Sequence, residues 1–271
     1  MVSTALPPSL LSLSDPLPLP RTALITGAAK RIGRAIALDL AQAGYQVALH
    51  CNQSRDEAEA LAAEIRSGGG RAMVVCADLT REAEVQPLIP QVVAALGPVG
   101  VLINNASLFE HDSAQDATRE SWDRHMEANL RAPFVLSQQM AAHLPEDHSG
   151  VIINLIDQRV WNLTPHFTTY TLSKAGLWTL TQTLALALAP RIRVNAIGPG
   201  PALPSSRQTA AQFAAQEARM PLARGTSPAE IAQTVRFLVA SPSMTGQMIA
   251  LDGGQHLCWS PASPEDEALA E

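Results

Sequence analysis

The feature that most constrains this chain is a regular alternation of short apolar segments with segments of helical periodicity. The apolar segments are residues 22–26, 45–50, 72–78, 99–106, 150–156, 191–200 and 246–254. Apolar residues recur at helical spacing over 32–43, 55–66, 81–96, 119–143, 168–189 and 228–240. Several of the predicted strands are apolar throughout, which is typical of parallel strands covered by helices on both faces. The pattern predicts a single doubly wound α/β domain with a seven-stranded parallel sheet.

The two ends of the chain depart from this alternation. Residues 1–20 contain repeated prolines and no cation before Arg21, and we expect them to form a flexible extension. Residues 259–271 form an acidic tail. No linker or repeat interrupts the 271-residue chain between these ends, so residues 21–258 are predicted to form one domain.

Composition narrows the class of partner. A net charge of -6 without a basic stripe argues against nucleic acid, and the apolar run at 184–189 is too short to cross a membrane. The three cysteines lack metal-ligand spacing, which favours a reduced, cytoplasmic setting and no metal site. A small-molecule ligand remains the expected partner.

Polar and glycine residues follow the predicted strands. In doubly wound sheets the ligand lies beyond the carboxyl ends of the strands, so residues at these positions are expected to share one edge. They are Thr26, Gly27, His50, Asp78, Asn104, Asn105, Ala106, Ser107, Asp157 and the segment 198–200.

The first strand-to-helix turn, TGAAKRIG, is typical of a phosphate-binding turn. Gly27 permits a tight turn and Gly33 permits close packing, so that backbone N–H groups can face a phosphate. Lys30 and Arg31 add positive charge beside Ile32 in this turn. An ordinary turn without a ligand is the alternative.

The end of the second strand discriminates between two cofactors. A Rossmann-type NAD site usually places a carboxylate there to bind the ribose 2′-hydroxyl. Here the chain has no acid before Asp56, whereas His50, Asn52 and Ser54, with Arg55, can hydrogen-bond a 2′-phosphate. The sequence favours NADPH, unless these residues are merely polar surface.

A tyrosine and a lysine provide candidate acid–base chemistry. Tyr170 and Lys174 are four residues apart on a predicted helix and therefore share a face. A nearby ammonium lowers the pKa of a phenol, which suits it to proton transfer.

These motifs together resemble the short-chain dehydrogenase/reductase family over residues 21–256. The resemblance implies that Tyr170 is the general acid and that Lys174 holds the nicotinamide ribose, with Asn129 organising water. It further implies a homotetramer or homodimer. It assigns cofactor contacts to Asp78, Leu79, Asn105, Ala106, Gly198 and Pro199.

One position departs from the family pattern. The family usually carries serine thirteen residues before the tyrosine, and this chain has Asp157. A serine hydroxyl donates to a substrate carbonyl, whereas a carboxylate only accepts. Asp157 therefore favours a substrate with N–H donors, or one that needs a proton delivered to nitrogen.

Asp157, TGAAKRIGRAIA and NNASLF resemble the pteridine and dihydromonapterin reductases. The resemblance implies that Arg31 approaches both cofactor phosphate and pterin, that Ser107 contacts both ligands, and that Phe109 stacks on the pterin. Asp157 and Tyr170 would supply the proton for reduction of a C=N bond, and residues 201–219 would cover the substrate.

Two alternatives remain open. A carbonyl reductase of ketones or 3-oxoacyl thioesters uses the same tyrosine and lysine, although Asp157 argues against it. A protein that senses NADP without turnover has no need of a general acid, so the presence of Asn129, Tyr170 and Lys174 argues against that class.

Overall fold

The fold is a parallel sheet with helices on both faces. The structure, a computed structural model, describes residues 17–205 and 207–258. The strands run in the order β3-β2-β1-β4-β5-β6-β7, and all are parallel. They are β1 (Thr22–Ile25), β2 (Gln46–Cys51), β3 (Ala72–Cys76), β4 (Val101–Asn104), β5 (Gly150–Leu155), β6 (Ile192–Pro199) and β7 (Met248–Leu251). The predicted doubly wound sheet is confirmed.

The helices divide between two apolar layers. They are α1 (Arg31–Gln42), α2 (Arg55–Ser67), α3 (Glu82–Val85), α4 (Leu88–Leu96), α5 (Arg119–Met126), α6 (Ala132–His143), α7 (Thr168–Ala187), α8 (Ala210–Ala218) and α9 (Pro228–Ala240). Helices α1, α2 and α9 cover one face of the sheet, and α4, α6 and α7 cover the other. Leu24 and Leu102 are fully buried, and burying one such side chain contributes about 1.5–3 kcal/mol.

Two predicted helices are interrupted. The helix predicted over 81–96 is divided into α3 and α4 at Pro87, whose nitrogen has no hydrogen to donate. The helix predicted over 119–143 is divided by a π-helical turn, Glu127–Arg131, which contains Asn129. The periodicity predicts one continuous helix here and not this turn, which lies at the predicted site residue Asn129.

Several strands end earlier than predicted. Strands β1, β3 and β4 end at Ile25, Cys76 and Asn104. The residues that follow are consequently free to form loops, and they meet at one edge where the strand order reverses between β1 and β4. This is where a doubly wound sheet binds its ligand.

The ends of the chain are only partly described. Residues 17–20 of the predicted extension contact the domain, because the Ser149 N–H donates to the Pro18 carbonyl at 2.9 Å. This part of the segment differs from the expected flexible chain. Residues 1–16 and the predicted tail 259–271 lie outside the described residues. Within the described ranges, no helix is long and apolar enough to cross a membrane.

Candidate active site

Two adjoining cavities open at the carboxyl edge of the sheet. The first, here called the tyrosine cavity, has a volume of about 290 Å³ and is lined by Phe109, Asp157, Tyr170 and Lys174 among others. The second, the turn cavity, has a volume of about 380 Å³ and is lined by Gly27, Asn52, Asp78, Leu79 and Ala106 among others. Arg31, Ile32, Asn105 and Ser107 line both cavities. A single extended ligand can therefore occupy both.

Backbone geometry shapes the turn after β1. Gly27 has a φ of 63°, a conformation that glycine adopts without strain. A Cβ on Gly33 would lie 2.2 Å from the Gly27 carbonyl oxygen, so only glycine lets α1 begin this close to the turn. The helix N-terminus consequently presents its unpaired N–H groups to the turn cavity.

Side chains just after β1 and β4 hold this turn in place. The Asn105 amide nitrogen donates to the carbonyls of Thr26 at 2.8 Å and Gly27 at 3.2 Å. The Thr26 hydroxyl accepts the N–H groups of Asn105 and Ala106 at 2.9 and 3.0 Å. The predicted cofactor residues Asn105 and Ala106 thus lie at the cavity, and the amide of Asn105 braces the turn. No motif in the sequence indicated that Thr26 would brace the turn.

His50 has a different role from the one predicted. Its Nδ1 accepts the Gly27 N–H at 3.1 Å, which leaves Nε2 to donate to the Ala77 carbonyl at 3.1 Å. Burial lowers the pKa of His50 to about 4, and the ring is therefore neutral near pH 7. With both nitrogens engaged, His50 supports the turn and has no donor left for a 2′-phosphate. The sequence could not distinguish a ligand from a brace at this strand end.

The two cations of the turn contact protein groups. The Lys30 ammonium lies 2.6 Å from the Glu57 carboxylate and is half exposed, so its charge toward the cavity is partly balanced. Arg31 has a φ of 54°, which is uncommon outside glycine and costs free energy. Its guanidinium donates to the carbonyls of Pro204 at 2.9 Å and Leu203 at 3.2 Å. Arg31 therefore links the turn to the segment that was expected to cover the substrate.

Of the remaining residues predicted for the turn cavity, Asn52, Asp78 and Leu79 line it, whereas Ser54 is not among its lining residues. Asn52 lines the cavity just after β2, and Ser54 is the N-cap residue of α2. Asp78 follows β3, and the Thr80 N–H and hydroxyl that it accepts hold the pKa of its carboxyl below the usual range. Leu79 provides an apolar wall beside it. No carboxylate from the end of β2 is among the residues that line this cavity.

Tyr170, the predicted general acid, forms a direct pair with Asp157. The Tyr170 hydroxyl donates to Asp157 Oδ2 at 2.8 Å, while Asp157 Oδ1 accepts the Arg159 backbone N–H at 2.8 Å. Burial, followed by the negative charge of Asp157, raises the pKa of Tyr170 well above its ordinary value. The phenol therefore holds its proton firmly, and the proton lies on the line between Tyr170 and Asp157. The expectation that a neighbouring ammonium lowers the pKa of this phenol is thus wrong, because burial and the Asp157 charge raise it.

Lys174 lies beneath this pair and is buried. Its ammonium donates to the Leu155 carbonyl at 2.8 Å. Burial lowers the pKa of Lys174 to about 8, an effect that the nearby Asp157 charge opposes. Tyr170 and Lys174 share one face of α7, as their spacing predicted, and both line the tyrosine cavity.

Asn129 connects three segments around the site. Its amide nitrogen donates to the Leu108 carbonyl at 2.9 Å and the Ser173 hydroxyl at 3.0 Å. Its side-chain oxygen accepts the Leu108 N–H at 2.8 Å and the Ser107 hydroxyl at 3.3 Å. The side chain is thus fully engaged with protein groups and holds Ser107 beside α7. The predicted water organised by Asn129 stays a prediction.

Phe109 forms an aromatic wall in the tyrosine cavity. Its ring stacks on Phe167 with centroids 4.3 Å apart and meets the edge of Tyr170 at 4.7 Å. The guanidinium groups of Arg207 and Arg159 lie 5.2 and 5.9 Å from the Phe109 centroid. A flat ring fits beside such a wall, because aromatic faces favour stacking and cations favour the same faces.

Asp112 supports the aromatic wall formed by Phe109, and no sequence motif indicated this role. Helix α7 has no capping side chain at Phe167, and Asp112 accepts the Thr169 N–H at 3.1 Å instead. Its backbone carbonyl accepts the Phe167 N–H at 2.7 Å. The loop that carries Phe109 is thereby fastened to the start of α7. A cap from a distant segment leaves no local motif to find.

Of the two predicted residues Gly198 and Pro199, one lines the tyrosine cavity and the other is buried. Pro199 lines the tyrosine cavity, together with Gly200 and Pro201. Gly198 is buried within β6, where a Cβ would lie 3.1 Å from the Met248 sulfur. The structure therefore places Pro199, but not Gly198, at the cavity surface.

The segment 201–219 lies over the tyrosine cavity. Leu203, Gln208 and Phe213 contribute to its lining. Helix α8 follows a capping box in which the Thr209 hydroxyl accepts the Gln212 N–H. The expected position of this segment is therefore observed, whereas its movement stays a prediction.

The donor set of the turn cavity fits a dinucleotide. Helix N–H groups and Arg31 suit phosphates, Asp78 and Leu79 suit an adenosine, and no acid at the β2 end repels a 2′-phosphate. Only glycine fits at position 27, because an added Cβ would lie 3.0 Å from Ala106 Cα and the turn would have to shift. In the described residues, no cluster of three or more His, Cys, Asp or Glu side chains is arranged to hold a metal ion.

The chain is similar over most of its length to known reductases. The family profile described as enoyl-(acyl carrier protein) reductase matches residues 27–256. The 3-oxoacyl-[acyl-carrier-protein] reductase FabG of Staphylococcus epidermidis is 34% identical over 242 residues, which cover 88% of this chain and 99% of that protein.

Two solved structures extend this comparison. FolM alternative dihydrofolate reductase 1 from Brucella suis, in complex with NADP, is 51% identical with a TM-score of 0.86, covering 90% of this chain and 97% of that chain. A short-chain dehydrogenase from Burkholderia cenocepacia, in complex with NADP, is 33% identical with a TM-score of 0.81, covering 87% and 98%. With these relatives and with Tyr170 and Lys174 together at the cavity, the chain belongs to the short-chain dehydrogenase/reductase family.

Proposed function

We propose that this oxidoreductase uses NADPH to reduce a C=N bond in the ring of a dihydropterin, a class that includes dihydrofolate and dihydromonapterin. The single observation that carries the proposal is the 2.8 Å hydrogen bond from the Tyr170 hydroxyl to Asp157. The similarity to FolM, whose description names it an alternative dihydrofolate reductase bound to NADP, supports the same substrate class.

The Asp157 carboxylate argues for nitrogen chemistry. A carboxylate has acceptor oxygens only and repels negative charge that develops on a carbonyl oxygen. Pterin rings carry amino and amide N–H groups that can donate to such an oxygen. At the same position a serine would donate, which is the requirement of a ketone substrate. The carboxylate therefore favours a ring with N–H donors over a carbonyl.

The proton for the reaction comes from Tyr170. When bound, NADPH supplies a hydride to the carbon of the C=N bond. The Tyr170 O–H bond breaks as the ring nitrogen gains the proton, and the phenolate that remains is stabilised by the buried Lys174 ammonium. Asp157 holds the phenol at 2.8 Å before transfer and receives the substrate N–H groups. Solvent returns a proton to Tyr170 after each turnover.

The aromatic wall and Arg31 orient the ring. Phe109 offers a flat surface that is fixed by its 4.3 Å stacking on Phe167. Arg31 lines both cavities, so its guanidinium can reach the cofactor phosphate and the pterin together. Ser107, held by Asn129 at 3.3 Å, lies between the two ligands. These residues explain why an arginine occupies the phosphate turn.

A second candidate is reduction of a 3-oxoacyl thioester. The 34% identity to FabG of Staphylococcus epidermidis favours it, and Tyr170 with Lys174 serves either reaction. Under this alternative Asp157 would hinder catalysis. Replacing Asp157 with the family's usual serine would then raise ketone turnover.

An association between copies of the chain is also proposed. A shallow apolar cavity of about 430 Å³ lies on the outer faces of the π-helical turn, α6 and α7, where Leu130, Phe134, Gly176 and Leu180 line it. The family resemblance implies a dimer or tetramer packed through these helices. Sedimentation velocity of the purified chain would measure the assembly directly.

The test of the proposed function is turnover of a substrate panel. NADPH oxidation is followed with dihydromonapterin, dihydrobiopterin and dihydrofolate beside ketones and acetoacetyl thioesters. Tyr170→Phe should lower pterin turnover at least about 100-fold, the usual contribution of a general acid. The other tyrosine of the chain, Tyr45, is buried under α1 and away from both cavities, so Tyr45→Phe is the matched control.

The panel separates the hypotheses. Pterin turnover that is lost in Tyr170→Phe and kept in Tyr45→Phe supports the proposal. Turnover of thioesters or ketones without pterins would refute it in favour of the second candidate. NADPH binding without any turnover would favour the sensing alternative.

A further inference from the structure

Two cysteines meet at the ends of neighbouring strands, close in sequence to residues that line the turn cavity. Cys51 ends β2 and Cys76 ends β3, and the two residues are register partners in the sheet. Their sulfur atoms lie 3.3 Å apart. Asn52, which lines the cavity, follows Cys51 directly, and Asp78 lies two residues beyond Cys76.

The backbone at this pair is compatible with a disulfide. Neighbouring strands lie about 4.8 Å apart, within the separation of about 4.4–6.8 Å that disulfides span between Cα atoms. Register partners project to the same side of the sheet, and the 3.3 Å contact shows that these two side chains do so. The sulfurs need to approach by roughly 1.3 Å to reach bonding distance.

The two thiols differ in their exposure to solvent, and this difference determines which of them is oxidised first. Cys76 is exposed to solvent, where a small oxidant can reach it. Cys51 is only 2% exposed and packs against Ala29 of the turn and Ala58 of α2. Burial, followed by the hydrogen bond and charge of Cys76, raises the pKa of Cys51 to about 12. The first oxidation is therefore expected at Cys76, and oxidation of Cys76 to a neutral group removes part of what keeps Cys51 protonated.

We propose that Cys51 and Cys76 form a reversible disulfide under hydroperoxide and that this disulfide weakens NADPH binding. Hydrogen peroxide oxidises the Cys76 thiol to a sulfenic acid and is reduced to water. The Cys51 sulfur then displaces hydroxide from the Cys76 sulfur, and that hydroxide leaves as water with the Cys51 proton. A dithiol donor such as dithiothreitol reverses the step by thiol–disulfide exchange.

The consequence for NADPH follows from what Cys51 touches. Closing the gap draws the end of β2 toward β3 and pulls Cys51 away from Ala29, which belongs to the phosphate turn. Asn52 moves with it, since it is the next residue. The Ala77 N–H, which donates to the Cys51 carbonyl at 3.1 Å, carries the shift to Asp78. This part of the inference rests on the turn cavity being the NADPH site of the proposed function.

The test begins with a measurement that needs no activity. The full-length, fully reduced protein is treated with hydrogen peroxide and digested with trypsin. Cleavage after arginine places Cys51 in the peptide 35–55 and Cys76 in the peptide 72–81. We expect these two peptides to be covalently joined, with the mass of two hydrogens lost, and to separate on reduction. Non-reducing electrophoresis verifies that the link lies within one chain.

NADPH binding is then measured by fluorescence titration of reduced and oxidised protein. We expect the oxidised protein to bind about tenfold more weakly, a change of about 1.4 kcal/mol, and to recover on reduction. Cys76→Ser and Cys51→Ser should lose the response to peroxide. Cys258 is the third cysteine, and its thiol contacts the Gly254 carbonyl and not the Cys51–Cys76 pair, so Cys258→Ser should keep the response.

Each outcome of these experiments tests a separate part of the proposal. Peroxide that leaves both peptides unlinked, or links Cys76 between chains, would refute the disulfide. A linked protein that binds NADPH as tightly as the reduced one would refute the effect on binding. Failure of the reduced protein to bind NADPH would refute the proposed cofactor, while the peptide mapping would still decide the disulfide.

Discussion

The two cavities use their residues in opposite ways. Around the turn cavity, Thr26, His50 and Asn105 use their hydrogen bonds to hold the backbone of the turn. In the tyrosine cavity the side chains of Asp157 and Tyr170 line the cavity themselves, and under the proposed function they are the reacting groups. A motif at a strand end can therefore mark either a ligand contact or a brace, and only the three-dimensional contacts distinguish them.

Replacing Asp157 should have the largest effect of the substitutions considered. Asp157→Asn keeps the shape of the side chain and removes its charge, so the Tyr170 hydroxyl and the substrate N–H groups lose their charged acceptor. We expect kcat for the pterin to fall by about 10³-fold, with the Kd for NADPH unchanged. Single-turnover kinetics and NADPH titration measure the two effects separately. A loss below about threefold would show that the carboxylate has no part in the proton transfer.

Titration of His50 provides the corresponding test for a side chain that supports the backbone of the turn. Its pKa is lowered from 6.5 to about 4 in the folded chain, so the unfolded chain binds the proton first as the pH falls. The stability linked to neutral His50 is therefore complete above about pH 6.5 and is lost on acidification toward pH 4. The expected loss between pH 7 and pH 4 is about 3 kcal/mol in the free energy of unfolding.

Urea unfolding at several pH values measures this linkage. His50→Gln has no titrating ring, so its stability should change less over the same interval, although it should be lower at pH 7. Equal acid sensitivity in both proteins would show that other groups dominate. His143 is on the surface, and His143→Gln is a control for removing one histidine.

These two residues also show what the sequence could predict. Alternating apolar and helical periodicity predicted the sheet, and the spacing of Tyr170 and Lys174 placed both on one face of α7. Local periodicity succeeds there because burial of strands and of helix faces is a local pattern. The same reasoning assigned His50 to a phosphate, since position after a strand says nothing of where its ring nitrogens bond.

Contacts between distant segments were beyond the sequence for the same reason. Asp112 caps α7 from a separate loop, and Arg31 bonds to carbonyls more than 170 residues away. The π-helical turn at Asn129 replaces one hydrogen-bond pattern by another without changing which residues are apolar. Such features depend on tertiary contacts, and a single sequence carries no local sign of them.

Replacing Gly33 tests whether the backbone of the turn shapes the turn cavity. A Cβ at this position would lie 2.2 Å from the Gly27 carbonyl oxygen and 2.7 Å from the Asn105 amide nitrogen. Gly33→Ala must therefore displace the turn, at a cost of about 1–3 kcal/mol. We expect NADPH binding to weaken at least about tenfold. Isothermal titration measures the affinity, and thermal unfolding measures the cost.

Gly68→Ala is the matched control for this change. An added Cβ there meets nothing closer than 3.5 Å, and the residue ends α2 far from the turn. It should leave NADPH affinity unchanged. If Gly33→Ala behaved like Gly68→Ala, the close packing of α1 on the turn would not matter for the ligand.

Arg31 belongs to both cavities, and its replacement should have the smallest effect. Arg31→Lys keeps one positive charge but loses the fork that donates to the Leu203 and Pro204 carbonyls. Because the charge remains, we expect KM for NADPH and for the pterin each to rise about threefold, with kcat little changed. Arg34→Lys is the matched control, since Arg34 lies on the same helix and pairs with Glu64 on the surface. A rise in only the NADPH value would confine Arg31 to the phosphate turn, whereas a rise in both would support its contact with two ligands.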